Sequence, residues 1–277
     1  MKSPLTLGYS PCPNDTFIFF ALAEKRIEFP FTLDLLIADV EMLNRRAAKG
    51  ALDISKISVN AVLSILDKYW LLRSGGAMGR GCGPLVVARR AAGFEELRDA
   101  SIATPGDLTT ASLLLRLEGT HRGRRVPMQF DRIMPAVAAG EVDAGVIIHE
   151  GRWTYQAYGL HMALDLGRWW EQQTGLPLPL GAIAIRRDLG AEVARTVEEK
   201  IRESLRYAMK DPDRPWPYIR RHAQEMAPEV IRLHIDAFVN EFTLDAGLEG
   251  ERALRSLLEA ACALDNRPFP KQSLFWG

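Results

Sequence analysis

Residues 141–151 read EVDAGVIIHEG. An apolar run from Ala144 to Ile148 stops at His149-Glu150, so one of only five histidines stands at the mouth of what reads as a buried strand. An imidazole titrates near pH ~6.5 and can take or give a proton at neutral pH. His149 is therefore either a general base or a core side chain with its hydrogen bonds satisfied. Glu150 beside it either orients the ring or faces solvent.

Four other stretches carry polar groups where chemistry could use them. In ATPGDLTTASLLL (103–115) a strand ends, Pro105-Gly106 turn the chain, and a helix begins near Thr109-Thr110. First-turn amides point outward without intrahelical partners and the helix dipole adds positive potential, so threonine hydroxyls there can help hold a carboxylate without a basic side chain. The competing reading is a plain N-cap in which Asp107 or Thr109 satisfies its own helix. In LDISKISVNA (52–61), Ser55, Lys56, Ser58 and Asn60 crowd a strand end and the next turn. Either Ser58 caps a helix over 59–66, or Ser58 and Asn60 form a polar rim that binds substrate hydroxyls. Lys56 could stabilise a developing enolate or pair with an acid across a cleft.

SPCPNDTF (10–17) has two prolines that stiffen a loop before a helix opening at Asn14-Asp15, which either cap that helix or touch a ligand. Cys12 lies between the prolines, and with no base nearby in the sequence it reads as structural. SGGAMGRGCGP (74–84) is glycine-rich but matches neither phosphate-loop pattern, so it reads as a flexible turn in which only Arg80 could reach an anion. Trp153, Tyr155 and Tyr158 follow His149 closely; one could stack on a flat ligand, with core packing as the alternative. Trp169-Trp170 read as core or interface.

The elements that must position these groups alternate. Strands are expected at 5–9, 31–37, 52–58, 84–89, 101–105, 143–149 and 180–187, with helices at 14–24, 39–50, 59–66, 108–117 and 130–140 between them. After 188 the pattern is helical, over 189–211, 228–240 and 249–265. Such alternation implies α/β architecture with mostly parallel sheets flanked by helices. AAKGALDISKIS (47–58) and AAGEVDAGVIIH (138–149) share a helix ending at glycine and an aspartate opening a buried strand. That echo is either generic punctuation or the mark of two related lobes delivering residues from strand C-termini to a shared cleft. PLVVARR (84–90) and LGAIAIRRD (180–188) both run from an apolar strand into paired arginines. Read as outgoing and returning crossovers, they divide the chain into a discontinuous lobe, 1–88 with 182–277, and an inserted lobe, 89–181.

Charge is balanced, 35 basic against 35 acidic residues, which argues against a nucleic-acid or membrane-surface partner. The three cysteines, Cys12, Cys82 and Cys262, are scattered, as reduced thiols are. MKSPLTLGYS lacks the apolar core of a signal peptide, and no run approaches the ~20 apolar residues of a membrane helix. The expectation is a cytoplasmic protein with a small-molecule ligand, either a monomer or a homodimer.

Together GYSPCPNDTF (8–17), DISKIS (53–58), GRGCGPLVV (79–87) and GVIIHEG (145–151) resemble the 1,4-dihydroxy-6-naphthoate synthases of the futalosine route to menaquinone. The resemblance runs over most of the chain, is densest in 8–150, and has SPCPNDTF as its most specific piece. It implies the two-lobed type II periplasmic-binding-protein fold, with the ligand cleft between lobes. It also implies a carbon–carbon lyase whose substrate is cyclic dehypoxanthine futalosine and whose products are 1,4-dihydroxy-6-naphthoate and a small sugar-derived fragment. No metal or organic cofactor is implied. The family carries its proposed base at the position of His149, its substrate's aromatic carboxylate assigns Thr109 and Thr110 to anion binding, and Asn44 occupies a matching position. Two other functions fit the fold: a solute-binding protein that leaves a small acid unchanged, and a chorismate dehydratase of the same pathway. SPCPNDTF favours the synthase over the dehydratase. The histidine at a strand mouth and the lack of a signal peptide weigh against the binder.

Overall fold

Short apolar strands and the helices between them build two α/β sheets, and in each sheet one strand follows a helix that stops at a left-handed glycine. The computed structural model describes residues 4–223 and 227–277. Residues 1–3, part of the N-terminal stretch read above for a leader, lie outside the described residues.

The first sheet holds β1 (Leu5–Tyr9), β2 (Leu33–Ile37), β3 (Ile54–Ser58), β4 (Tyr69–Gly79) and, from far along the chain, β10 (Leu178–Arg186). Its order is β2-β1-β3-β10-β4. The second holds β5 (Leu85–Ala88), β6 (Ile102–Thr104), β7 (Arg125–Pro127), β8 (Ala144–Ile147) and β9 (His161–Asp165) in the order β7-β6-β8-β5-β9. In each sheet four strands run one way and one runs against them, β10 in the first and β5 in the second. Helices flank both sheets, as the α/β reading requires. β5 pairs with β8 and β9, so it belongs to the second sheet, whereas the expected boundary at 88/89 kept it with the first. β10 likewise starts at Leu178, ahead of the expected boundary at 181/182.

The sequence echo has a structural counterpart. The helix Val40–Ala48 ends at Gly50 (φ 70°) and the helix Phe130–Ala139 at Gly140 (φ 78°). Each end makes the same paired bonds. Ala51 N–H donates to Arg46 and Gly50 N–H to Ala47; Glu141 N–H donates to Ala136 and Gly140 N–H to Val137. Three residues past each glycine comes an aspartate that clamps the neighbouring parallel strand. Asp53 accepts from the amide (2.8 Å) and hydroxyl (3.0 Å) of Thr6. Asp143 accepts from the amide (2.8 Å) and hydroxyl (2.7 Å) of Ser101. The hydrogen bonds pull the Asp143 carboxyl below the usual carboxylate range. The two lobes thus repeat one local design, whose third parallel strand ends at Ser58 in one and just before Ile148-His149 in the other.

Two expectations fail here for physical reasons. Residues 59–64 form a 3-10 helix, too short and tight to be the α-helix expected over 59–66. The glycine-rich turn is largely strand: β4 runs eleven residues to Gly79 and pairs with β10 across two register shifts. Its glycines sit where backbones approach closely, since a Cβ on Gly76 would lie 3.2 Å from the Gly181 carbonyl oxygen. The C-terminal tail docks on the body: Leu71 N–H donates to Leu274 at 2.7 Å, and the Trp276 indole donates to buried Glu198 at 3.1 Å.

The crossover between lobes threads a space that admits no side chain. A Cβ on Gly83 would lie 2.2 Å from Cα of Gly167 and 2.6 Å from its nitrogen, backbone atoms that cannot swing aside. Gly83→Ala should therefore destabilise the protein by about 2 kcal/mol or more in urea unfolding. Gly93→Ala, where φ is −69° and the nearest atom is 3.8 Å away, should be close to neutral. Equal effects at the two positions would refute the close-approach argument.

Candidate active site in the interlobe cleft

The C-terminal ends of parallel strands from both sheets open onto one cleft with about 690 Å³ of empty space, part of it continuous with solvent. The cleft lies where open α/β sheets bind ligands.

One wall is set by a buried ion pair. Lys56, on β3, reaches Asp15 Oδ1 at 2.6 Å, and both side chains are almost fully buried. Asp15 belongs to the helix Pro13–Ala23 of the same lobe, so the lysine pairs beside the cleft and not across it. The other carboxylate oxygen accepts from the Ser10 hydroxyl at 2.7 Å and its amide at 3.2 Å. Asn14 Nδ2 donates to Asp15 Oδ1 at 3.0 Å, which turns its Oδ1 outward to meet His234 Nε2 at 2.9 Å. Asn14 thus orients one ring from the far end of the chain. Because that amide oxygen can only accept, Nε2 of His234 carries the hydrogen and Nδ1 is the bare nitrogen. Burial, then the His149 ring and Lys56, push the His234 imidazole well below its ordinary value and keep it neutral.

His149 stands opposite. Its φ is +55°, a left-handed conformation that costs a non-glycine residue roughly 1–2 kcal/mol. This sharp turn lifts the ring off the end of β8. Phe130 meets it edge-on at 4.8 Å between centroids, and His234 stacks on it at 6.0 Å. Cys12 Sγ lies 3.4 Å from Nδ1. The reading of Cys12 as having no base nearby is therefore corrected: the base comes from 137 residues away. Burial first, then the charges of Glu150 and Asp15, hold the thiol well above its ordinary value, so it remains a thiol against the ring and not a thiolate nucleophile.

The remaining candidates divide by what their polar atoms already hold. Asn44 donates to Ser58 Oγ at 3.0 Å and accepts from the Ser58 amide at 2.8 Å, so it orients Ser58, which lines the cleft. Thr109 is the N-cap of the helix Thr110–Glu118, accepting from Ser112 N–H at 3.3 Å and donating to the Gly106 carbonyl at 2.7 Å. Thr110 donates to the Leu180 carbonyl at 2.7 Å. Both line the cleft, with the amides of the first turn beside them. Asn60 spans the seam between lobes, donating from its side chain to the carbonyls of Asp107 (3.1 Å) and Thr109 (3.3 Å). Glu41 crosses the same seam. Its side chain packs on Gly106, and burial raises its carboxyl above the usual range. Arg80 is paired with Glu249 outside the cleft. Tyr155 and Tyr158 do not line the cleft; Trp153 stands behind His234, 5.9 Å between centroids. Sequence reasoning missed His234, whose helix Pro228–Phe238 gave no motif; its scarcity as a residue type was the only signal.

A family model described as menaquinone biosynthesis matches residues 5–263. The chain belongs to the menaquinone-biosynthesis family. A 1,4-dihydroxy-6-naphthoate synthase of Thermus thermophilus is 51% identical over 93% of this chain and 93% of its own length. One from Streptomyces coelicolor is 48% identical over 94% of this chain and 93% of its length. A crystal structure of an Archaeoglobus fulgidus protein superposes with a TM-score of 0.90 at 37% identity, covering 95% of this chain and 98% of that one. The periplasmic aliphatic sulphonate binding protein of Escherichia coli superposes at 0.66 with 12% identity, covering 99% and 91%, which shows the periplasmic-binding-protein fold. Among the described residues, no helix of this family member is long and apolar enough to cross a membrane.

The neutral His234 has a consequence for stability. The unfolded chain protonates this residue near pH ~6.5, whereas the folded protein resists protonation, so acid favours unfolding. The group's contribution is whole above that pH and is lost progressively below it. Between about pH 7 and about pH 5, His234→Gln should flatten the dependence of unfolding free energy on pH by up to about 1.4 kcal/mol per unit. Parallel curves for the two proteins would contradict the neutral assignment.

Proposed function

We propose that the cleft converts cyclic dehypoxanthine futalosine into 1,4-dihydroxy-6-naphthoate and a small sugar-derived fragment, with His149 as general base. The naming of both curated relatives as 1,4-dihydroxy-6-naphthoate synthases supports the product, and membership of the menaquinone-biosynthesis family supports the pathway. The single observation that carries the residue assignment is the placement of His149. Its imidazole lines the cleft, on a residue held in a left-handed backbone conformation that a non-glycine side chain seldom adopts.

In this reading the first-turn amides of the helix Thr110–Glu118, with Thr109 and Thr110 framing them, hold the aromatic carboxylate. Lys56 is neutralised by Asp15, so the anion is left to the helix amides and not to the lysine. Ser58, oriented by Asn44, offers a hydroxyl to the substrate. His149 removes a proton from the sugar-derived part. The electron pair left behind drives cleavage of the carbon–carbon bond to the bicyclic ring, and formation of the aromatic naphthol makes that cleavage favourable. A solute-binding protein of the same fold would leave the molecule intact, and incubation with the substrate separates the two.

His149→Asn should lower turnover by about 10²-fold or more, the usual contribution of a general base, with substrate affinity changed by less than about tenfold. Unchanged turnover would remove the base assignment. For the anion site, the methyl ester of the substrate should bind about tenfold or more weaker than the acid. Thr109→Val with Thr110→Val should narrow that gap; an equal loss for acid and ester would place the carboxylate elsewhere.

A further inference from the structure

His234 is 1% exposed and lines the cleft, yet among the described residues its Nδ1 has no hydrogen-bond partner. The bond from Nε2 to Asn14 fixes which nitrogen is bare, and burial keeps the ring from filling Nδ1 with a proton of its own. The group facing Nδ1 is Glu150 Oε2, 3.9 Å away, and a carboxylate can only accept. Two acceptors therefore face each other 3.9 Å apart, and among the described residues no donor reaches the buried nitrogen. A buried acceptor left empty destabilises the fold, so such a pair is kept where something supplies the donor. A carboxylate or a carbonyl cannot do so. A hydroxyl can.

We infer that His234 Nδ1, with Glu150 beside it, is the subsite for a hydroxyl of the substrate's sugar-derived part, the hydroxyl donating its hydrogen to Nδ1. This rests on the functional reading above and extends it, since it gives the non-aromatic half of the molecule its own anchor. The subsite adjoins His149, whose ring stacks on His234, so a hydroxyl held there brings the neighbouring C–H groups toward the base. His234 is a positioning residue: it selects and orients, and His149 moves the proton.

Two substitutions separate this role from a purely structural one. Glutamine can still donate to Asn14 from the place of Nε2 but has no acceptor where Nδ1 lies. Asparagine places an amide oxygen near Nδ1 but loses the tie to Asn14. Both are made in the His149→Asn background, where substrate is not consumed, and calorimetry gives the affinities for cyclic dehypoxanthine futalosine and for 1,4-dihydroxy-6-naphthoate, which lacks the sugar-derived part. His234→Gln should weaken the substrate by about tenfold or more and the product by less than about threefold. His234→Asn should bind substrate more tightly than His234→Gln does. Substrate binding unaffected by glutamine, equal losses for both ligands, or asparagine weaker than glutamine would each overturn the inference. If the His149→Asn protein binds neither ligand, the failure belongs to the functional reading itself.

Discussion

A buried ammonium group must have its charge answered, and Lys56 is answered by Asp15. Breaking such a pair from one side costs about 3–5 kcal/mol, because the survivor is left charged and dry. The pair does more than hold β3 to the first helix. Asp15 has its remaining capacity filled by Ser10 and Asn14, and Asn14, so oriented, dictates the tautomer of His234 on a helix more than two hundred residues away. Three segments distant in sequence are thereby locked into one wall of the cleft, and the hydrogens along that wall have only one consistent placement.

The opposite wall comes from the second copy of the same local design. In both lobes a helix closes on a left-handed glycine, an aspartate clamps the adjoining strand, and the next strand runs to the cleft. The two copies end differently. The first delivers Ser58 with its hydroxyl held by Asn44; the second turns through a left-handed histidine. A scaffold repeated for stability thus carries its difference at the strand tips, where the backbone is free of the sheet. The strain at His149 is local and is borne by a lobe whose clamps are intact.

Thr109 and Asn60 illustrate how a polar residue can serve both fold and site. Each has partners within the protein, so neither hydroxyl nor amide waits idle for a ligand. What they leave available is indirect: the amides of a capped helix, and a seam between lobes held at a set width. His234 is the contrary case, with one nitrogen satisfied and the other not.

The sequence by itself determined the alternating α/β pattern, the two helix stops, the clamping aspartates and the histidine at a strand mouth. Apart from the aspartates, whose clamping partners lie more than forty residues away, these are local features, governed by period, glycine and apolar runs. It also carried the family resemblance, through stretches that cluster in its first 150 residues. Tertiary structure alone decided that the glycine-rich stretch is a long antiparallel strand, because its partner β10 lies a hundred residues on. It alone paired Lys56 with Asp15, set Cys12 against His149, and brought His234 to the cleft. Those outcomes depend on which buried charges and bare nitrogens meet after the chain has folded back on itself, and no local pattern encodes a meeting between residues so far apart.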